Sequence, residues 1–310
     1  MTTNMMTIGS GTGTTVSNVK KVRGKSKKMT QFESAIQAIV EERKPITVRG
    51  TGYGLFTRGL IENMGVNCTA KVSRVMTAMR ENGTLDWTQI VDGSRAIDRP
   101  NTWRNPSQII AAAVTGYRRD RWQDQPYRVE VWSEKSTVAG VLAPVLEEFG
   151  VTFRVQKGFG SFTSVRQAAE DSLNLIDDQK GVVLYIGDRD PSGMFMSEID
   201  LPNRLSRYGS QWEFVRIAVL EGDTEHLPHF EAATKAEDKR YAWFVENYGS
   251  KCWELDAINP NDLRQRVREQ IVSRLNLLAW EHAQSIEDVE VESMGDFHRA
   301  WSKCLEGAAA

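Results

Sequence analysis

The chain has 310 residues, of which 40% are hydrophobic and 26% are charged. These fractions are close to the averages of globular proteins and exclude a collagenous or wholly disordered chain. No apolar run approaches the ~18–20 residues of a transmembrane helix, and the first residues lack the apolar core of a signal peptide. The sequence therefore predicts a soluble, cytoplasmic protein of about two domains, at ~100–200 residues each.

The charge is unevenly distributed along the chain. The net charge is −2, but residues 1–122 hold 19 Lys and Arg against 9 Asp and Glu, which leaves 20 against 32 for residues 123–310. A basic front half beside an acidic back half suits a polyanion-binding module joined to a metal-binding one. Alternatively, the two halves have solvated surfaces whose charges differ only by chance. The widely spaced Cys68, Cys252 and Cys304 indicate neither a zinc site nor a disulfide framework.

The front half predicts a basic arm followed by three helices. Residues 1–30 are rich in Gly, Ser and Thr and then in Lys, and they are predicted to be disordered. Apolar residues at helical spacing predict amphipathic helices from Gln31 to Arg43, from Leu55 to Ile61 and from Thr69 to Arg80. A short strand is expected at 46–48, after the first helix.

A ribbon is expected after the third helix. Residues 83–100 contain Gly and Asp at turn positions and predict a turn and a wing. Helices followed by a wing are typical of a winged helix-turn-helix domain, here residues 31–122, whose last helix enters the major groove of DNA. Lys71, Arg74 and Arg80 of that helix would then bind phosphates or bases. Three amphipathic helices also form many bundles that bind no DNA.

The back half alternates strands with helices. Strands are predicted at 127–132, 151–155, 182–186 and 214–219, and helices at 107–120, 136–149 and 162–177. This alternation predicts a parallel sheet with helices on both faces, within a domain of residues 123–225. Residues 226–310 are predicted to form a mainly helical extension, with a clear helix from Asn261 to about His282.

Three acidic residues follow two of the predicted strands. Glu134 follows the first strand, and Asp188 and Asp190 follow the third. Ligands of open α/β sheets bind beyond the carboxyl ends of the strands, so these carboxylates are expected to converge. Such hard oxygen donors suit Mg²⁺, with Mn²⁺ as a substitute, and the ion would stabilise the charge of a phosphoryl transfer. Each acid taken alone would be an ordinary turn residue.

The order of these motifs resembles that of a Toprim domain, which has a Glu after its first strand and Asp-x-Asp after its third. Among Toprim proteins, segment 127–219 resembles the topoisomerase VI A subunit and the meiotic double-strand-break transesterase, and it is more similar still to uncharacterised phage and prophage proteins of that type. The resemblance covers about residues 45–275. It implies an α/β fold, in which an N-terminal winged helix-turn-helix precedes a parallel-sheet, Rossmann-like Toprim domain and a helical C-terminal extension. The matching stretches are Glu134-Lys135, Lys157-Gly158-Phe159, 188–193 and 254–257.

The resemblance also implies a nucleophilic tyrosine. In this family the winged-helix domain carries a Tyr, four residues after an Arg, that attacks a DNA phosphate and becomes joined to the 5′ end. Arg49 and Tyr53 have this spacing. A phenol of pKa ~10 needs help from a cation, a base or a metal, and Arg49 would stabilise charge on the phosphate. However, Gly50, Gly52 and Gly54 favour a loop, and a half-buried packing role for Tyr53 is the alternative.

The family implies metal-dependent cleavage of double-stranded DNA by a homodimer, in which Tyr53 and Arg49 of one chain work with the acids of the other. Glu134 and Asp188 would hold Mg²⁺, and Asp190 would support a second ion. Glu134 would also act as general acid or base on the leaving 3′ oxygen. ATP-driven strand passage would need a separate GHKL-type ATPase subunit. The implied setting is a bacterial or phage-infected cell, with no membrane partner.

Two other functions stay open at this stage. A hydrolytic Toprim nuclease would use water in place of the tyrosine, as the glycines around Tyr53 suggest. A non-catalytic DNA-binding regulator would keep only the fold, although an unused cluster of acids would repel itself. Glu254 and Asp256 match the phage pattern without an evident chemical role, and a structural ion pair or a cap is expected for them.

Overall fold

The computed structural model of the chain describes residues 26–91, 100–156, 162–176 and 178–308. Parts of three predictions lie outside these residues. They are the predicted arm up to residue 25, the predicted wing at 92–99, and the matching stretch Lys157-Gly158-Phe159.

Three helices and two short strands form the front part of the molecule. They are α1 (Lys27–Arg43), β1 (Ile46–Thr47), α2 (Val48–Thr57), α3 (Val66–Glu81) and β2 (Ile90–Val91). The apolar faces of the helices enclose a core of their own, in which Ile36, Leu55 and Met76 are fully buried. This front part therefore has the helical core that the sequence predicts.

The predicted bounds of the first two helices are wrong. Helix α1 begins at Lys27, inside the predicted arm, because the Ser26 side chain accepts a hydrogen bond from the Met29 N–H and caps the helix. Helix α2 begins at Val48, where Thr47 caps it by accepting a hydrogen bond from the Gly50 N–H at 2.8 Å. It ends at Thr57, so no helix runs from Leu55 to Ile61.

The described residues of the expected wing segment end in a strand that pairs within the front part. Residues Trp87–Gln89 form a 3₁₀ turn, and β2 then pairs in parallel with β1, which lies before α2. The pairing carries Ile90 into the core of the front part. The end of the 83–91 segment is therefore held against the start of α2.

A four-stranded parallel sheet forms the centre of the back part. Its strands are β3 (Tyr127–Ser133), β4 (Thr152–Val155), β5 (Lys180–Ile186) and β6 (Trp212–Ala218), in the order β4-β3-β5-β6. Strand β5 is buried from Gly181 to Ile186, as its unbroken apolar run predicts for a central strand. The α/β prediction is confirmed to this extent.

Helices cover both faces of the sheet. Helix α5 (Thr137–Phe149) packs on the face that carries Val131 and Leu184. The opposite face, with Trp132 and Tyr185, is covered by α6 (Phe162–Leu173) and α8 (Leu201–Arg207). A helix α4 (Pro106–Gly116) precedes the sheet, and α7 (Pro191–Phe195) runs through a π-helical turn, Met196–Asp200, into α8.

The chain after the sheet is less uniformly helical than the sequence predicts. It contains β7 (Phe230–Glu231), α9 (Tyr241–Tyr248), β8 (Lys251–Cys252), α10 (Pro260–Val272) and α11 (Leu277–Ala308), and β7 and β8 pair in antiparallel fashion. The single helix predicted from 261 to 282 is two helices. The chain breaks where Asn276 N–H donates to Gln125 Oε1 at 2.8 Å.

Helices α10 and α11 belong to the core of the sheet. Trp280 of α11 packs edge-on against Trp122 at 5.6 Å between ring centroids and also contacts Phe149 of α5. Leu263 and Val267 of α10 lie in the same cluster. Among the helices of the described residues, none is both long enough and apolar enough to cross a membrane.

Candidate functional site

The paired central strands bring two of the predicted acids to one edge of the sheet. Ser133 at the end of β3 lies opposite Ile186 at the end of β5. Glu134 and Asp188 therefore leave the sheet at the same carboxyl edge, and Asp190 follows two residues later. Asp190 begins α7, because its Oδ1 accepts a hydrogen bond from the Gly193 N–H at 2.7 Å.

The three acids repel one another. Burial raises the pKa of Glu134, and the charges of Asp188 and Asp190 raise it further, against the opposing effect of Lys135 and Lys235. Burial also raises the pKa of Asp188, although Lys135 opposes this. Mutual repulsion in a partly buried site favours binding of a proton or a cation.

Two lysines supply part of that positive charge. Lys135 Nζ lies 2.9 Å from Asp188 Oδ1 and 3.0 Å from Asp256 Oδ2. Lys235 forms an ion pair with Asp190 Oδ2. Both carboxylate oxygens of Asp190 therefore have partners within the protein.

A divalent cation would find a partial set of ligands at this edge. Within the described residues, the Glu134 carboxylate accepts no hydrogen bond, and the Asp188 carboxylate accepts bonds only at Oδ1, from Lys135 and from the Leu255 N–H at 2.7 Å. Glu134 and Asp188 Oδ2 thus offer hard oxygen donors of the type that Mg²⁺ prefers. Among the residues that the structure describes, no three His, Cys, Asp or Glu side chains are arranged as a metal site.

A buried arginine holds the loop that carries Asp188. Arg216 of β6 donates to the carbonyl oxygens of Gly187 at 2.8 Å and of Asp188 at 2.6 Å, and to Ser197 Oγ at 2.6 Å. Burial lowers the pKa of Arg216, and its partners are carbonyl and hydroxyl oxygens. No sequence signal pointed to this residue, because it lies 28 positions from Asp188.

The glycines around Tyr53 lie in a helix and not in the predicted loop. Helix α2 is buried from Gly50 to Leu55. A Cβ atom on Gly54 would lie 2.9 Å from Ile39 Cγ2 of α1, and one on Gly52 would lie 3.2 Å from Met64 Cε. The glycines therefore permit close packing of α2 against its neighbours.

Tyr53 is a buried residue of this helix. Its side chain is 6% exposed. Burial raises the pKa of Tyr53, and the charge of Glu254 raises it further, which outweighs the opposing effects of Arg49 and Lys135. The phenol is thus held in its neutral form.

Arg49 is bound to a carboxylate of the back part. Its guanidinium forms two hydrogen bonds with Glu254, and these bonds are the largest cause of the raised pKa of Arg49. Nearby, Thr47 Oγ1 donates to Asp256 Oδ1 at 3.0 Å. The ion-pair expectation for Glu254 and Asp256 is confirmed, since Asp256 also binds Lys135.

These contacts enclose a cleft of about 680 Å³ between the front helices and the edge of the sheet. Hereafter "the cleft" denotes this space. Residues of α2 and α3 form one wall, and the residues after β3 and β5 form the other. Its lining comprises Thr47, Val48, Arg49, Ser73, Thr77, Arg80, Val91, Lys135, Thr137, Asp188, Glu254 and Asp256.

The three basic residues predicted to bind DNA do not act as one group. Arg80 lines the cleft. Lys71 and Arg74 are exposed on another face of α3, and Lys71 Nζ lies 4.7 Å from the ring centroid of Phe32. Since 3.6 residues make one turn, Lys71 and Arg80 point in nearly opposite directions.

The sequence interpretation missed several partners of the site. The only sequence signal for Lys135 was its place beside Glu134 in a matching stretch. Lys235 had no such signal, because it meets Asp190 across 45 residues.

The chain matches no family model, no curated protein and no solved structure. Its function is therefore inferred from the site itself.

Proposed function

We propose that this protein is a metal-dependent DNA-cleaving enzyme of the topoisomerase VI A type, built from a winged-helix part and a Toprim part. One observation carries the proposal: Glu134 and Asp188 leave the sheet at the same carboxyl edge of paired parallel strands, and Asp190 follows two residues later. This edge is where open α/β sheets bind ligands.

The acids of the site have separate roles in the proposed phosphoryl transfer. A bound Mg²⁺ or Mn²⁺ would stabilise the negative charge that develops on the phosphate. Glu134 and Asp188 would hold it with their available oxygens, and Asp190 would contribute once Lys235 moves. Glu134 would also act as general acid or base, with an oxygen that does not hold the ion relaying a proton from water to the leaving 3′ oxygen.

Tyr53 is the proposed nucleophile. It would transfer its proton to the Glu254 carboxylate and attack the DNA phosphate, so that a phosphotyrosine bond forms at the 5′ end and the bond to the 3′ oxygen breaks. The Arg49 guanidinium lies 5.8 Å from the centroid of the Tyr53 ring. Once Arg49 has left Glu254, it would be near enough to stabilise charge on that phosphate. Binding of DNA would have to expose Tyr53.

Cleavage of supercoiled DNA tests the proposal. The wild-type protein and Tyr53→Phe are incubated with the DNA and Mg²⁺ or Mn²⁺, quenched with denaturant and divided between samples with and without protease. We expect breaks with protein attached to the 5′ ends, and their loss in Tyr53→Phe and in Asp188→Asn. A wild-type protein that leaves the DNA intact with either metal would count against the proposal.

Hydrolysis by the same acids is the second candidate, and the burial of Tyr53 favours it. A phenol that is 6% exposed, with a pKa raised by burial and by Glu254, is a poor nucleophile. Water would attack the phosphate in its place. Free ends produced equally by the wild type and Tyr53→Phe, but lost in Asp188→Asn, would identify this reaction. Cleavage unaffected by Glu134→Gln and Asp188→Asn would rule out both candidates.

A further inference from the structure

An exposed tryptophan stands beside the cleft. Trp87 is 57% exposed, and the Arg80 guanidinium lies 4.8 Å from its ring centroid. Arg80 lines the cleft, as does Val91, four residues after Trp87. The indole thus lies against a residue of the cleft wall.

Local contacts fix the segment that carries Trp87. Asp86 caps the 3₁₀ turn, because its Oδ1 accepts hydrogen bonds from the Thr88 N–H and hydroxyl, both at 2.8 Å. Ile90 then anchors the chain in the core of the front part. The indole is therefore presented to solvent on a fixed support.

Arg80 differs from the other basic residues of the cleft. Arg49 is paired with Glu254, and Lys135 with Asp188 and Asp256. Within the described parts of the chain Arg80 meets no carboxylate, and its hydrogen bonds, to the Met76 carbonyl and the Thr77 hydroxyl, are long at 3.4 Å. Its charge is available to an anion.

The size of the cleft indicates how much nucleic acid enters it. A volume of about 680 Å³ falls within the ~300–1,000 Å³ of sites for small molecules, so the cleft has room for a short stretch of one strand. Proteins that hold single strands combine basic grooves with aromatic side chains on which bases stack. Trp87 supplies the aromatic face of such a site, and Arg80 supplies its cation.

We propose that Arg80 and Trp87 form a platform for an unpaired base of single-stranded DNA, with the adjoining phosphate on Arg80 and the strand continuing into the cleft. The inference rests on the proposed function only in taking DNA as the ligand. An isolated surface tryptophan is common, but this one is stacked with an unpaired cation of the cleft wall.

Binding of labelled DNA tests the platform without cleavage. Anisotropy of a fluorescein-labelled oligothymidylate of about 12 nucleotides, within the ~4–16 of known single-strand sites, is measured in a chelating buffer. A hairpin duplex serves as the competing ligand. We expect tighter binding of the single strand, and a loss of about 5- to 150-fold in Trp87→Ala. Arg80→Ala should also weaken binding and reduce the salt dependence.

Trp103→Ala is the matched control, because Trp103 is 44% exposed and lies outside the cleft lining. Its affinity should equal that of the wild type. Equal losses in both tryptophan variants, no loss in Trp87→Ala, tighter binding of the duplex, or no binding of either DNA would each overturn the platform. Because no metal is present, a binding result stands whether or not the protein cuts DNA, which separates this inference from the proposed function.

Discussion

At the scale of single residues, the candidate site depends on side chains that hold the acids in place. Arg216 shows this most clearly, since it binds the carbonyl oxygens of Gly187 and Asp188 from the neighbouring strand. Buried carbonyl oxygens without a hydrogen-bond donor are costly. The position of the acids therefore depends on a residue that takes no part in the proposed chemistry.

Replacement of Arg216 should destabilise the protein. We expect Arg216→Gln to lower the free energy of unfolding by ~2–4 kcal/mol, because several buried oxygens lose their donor. Urea denaturation followed by circular dichroism measures the change. Arg207→Gln is the control, since Arg207 is exposed and should stay within ~0.5 kcal/mol of the wild type. A loss no larger than that of the control would contradict the role of Arg216.

The contacts of Asp223 should make the stability of the fold depend on pH. Its carboxylate accepts hydrogen bonds from Arg266 at 2.8 and 2.6 Å and from the Leu220 N–H at 2.7 Å. Burial alone would raise the pKa of Asp223, but these bonds and the charge of Arg266 outweigh it and lower the pKa. A lowered carboxyl pKa stabilises the fold above the unfolded value of ~3.9, and this contribution is lost as the pH falls through the folded value.

Thermal unfolding across a pH series checks this expectation. Asp223→Asn should be less stable than the wild type at pH ~7, and the difference should shrink as the pH falls below ~3.9. Glu225→Gln, at an exposed position nearby, should show no comparable difference. A difference that stays constant with pH would show that the ionised Asp223 is not the cause.

At the scale of elements, helix α2 shows how packing overrides local propensity. Three glycines within ten residues disfavour a helix. The helix forms because Thr47 caps it and because a residue without Cβ at Gly54 lets it approach Ile39 of α1. The position of Arg49 and Tyr53 beside Glu254 follows from that close approach.

Gly54→Ala should therefore destabilise the protein despite the better helix propensity of alanine. The new Cβ would lie 2.9 Å from Ile39 Cγ2, and overpacking of this kind costs ~1–3 kcal/mol. Gly116→Ala is the matched control, because no atom lies within 4 Å of its added Cβ at the end of α4. Denaturant unfolding of both variants measures the contrast. An equal or greater stability of Gly54→Ala would show that space is not limiting at that position.

At the scale of the whole molecule, the cleft joins the front helices to the acids of the same chain. Arg49 pairs with Glu254, Thr47 binds Asp256, and Arg80 and Asp188 line one cleft. The family resemblance instead leads to a site shared between two chains. The intramolecular contacts favour a site that is complete in each chain.

Mixing of two inactive variants distinguishes these arrangements. If the protein cleaves DNA through Tyr53 as proposed, Tyr53→Phe and Asp188→Asn should each be inactive. For a site within one chain, a mixture of the two should stay inactive, because neither chain has both groups. The mixture is incubated, to allow exchange of subunits, before assay on supercoiled DNA. Recovered cleavage in the mixture would establish the shared site and contradict the intramolecular one.

Local patterns in the sequence determined the strands and helices of the sheet and the positions of its acids. The apolar run of β5 and the turn after it are readable from neighbouring residues, and parallel pairing with β3 then brings Glu134 near Asp188. The helix boundaries at α2 and between α10 and α11 were wrong, because a cap, close packing and the contact of Asn276 with Gln125 decide them.

The partners of the acids and the form of the cleft were decided only by the tertiary structure. Lys235 meets Asp190 and Arg216 meets Asp188 across long stretches of sequence, and Arg49 meets Glu254 across 205 residues. Arg80 joins the cleft while Lys71 points away, since rotation around α3 separates residues that look alike in sequence. The sequence determined which chemical groups are present, and the packing of distant segments determined which of them meet, because charge and hydrogen bonding act over ångströms of space and not over positions in the chain.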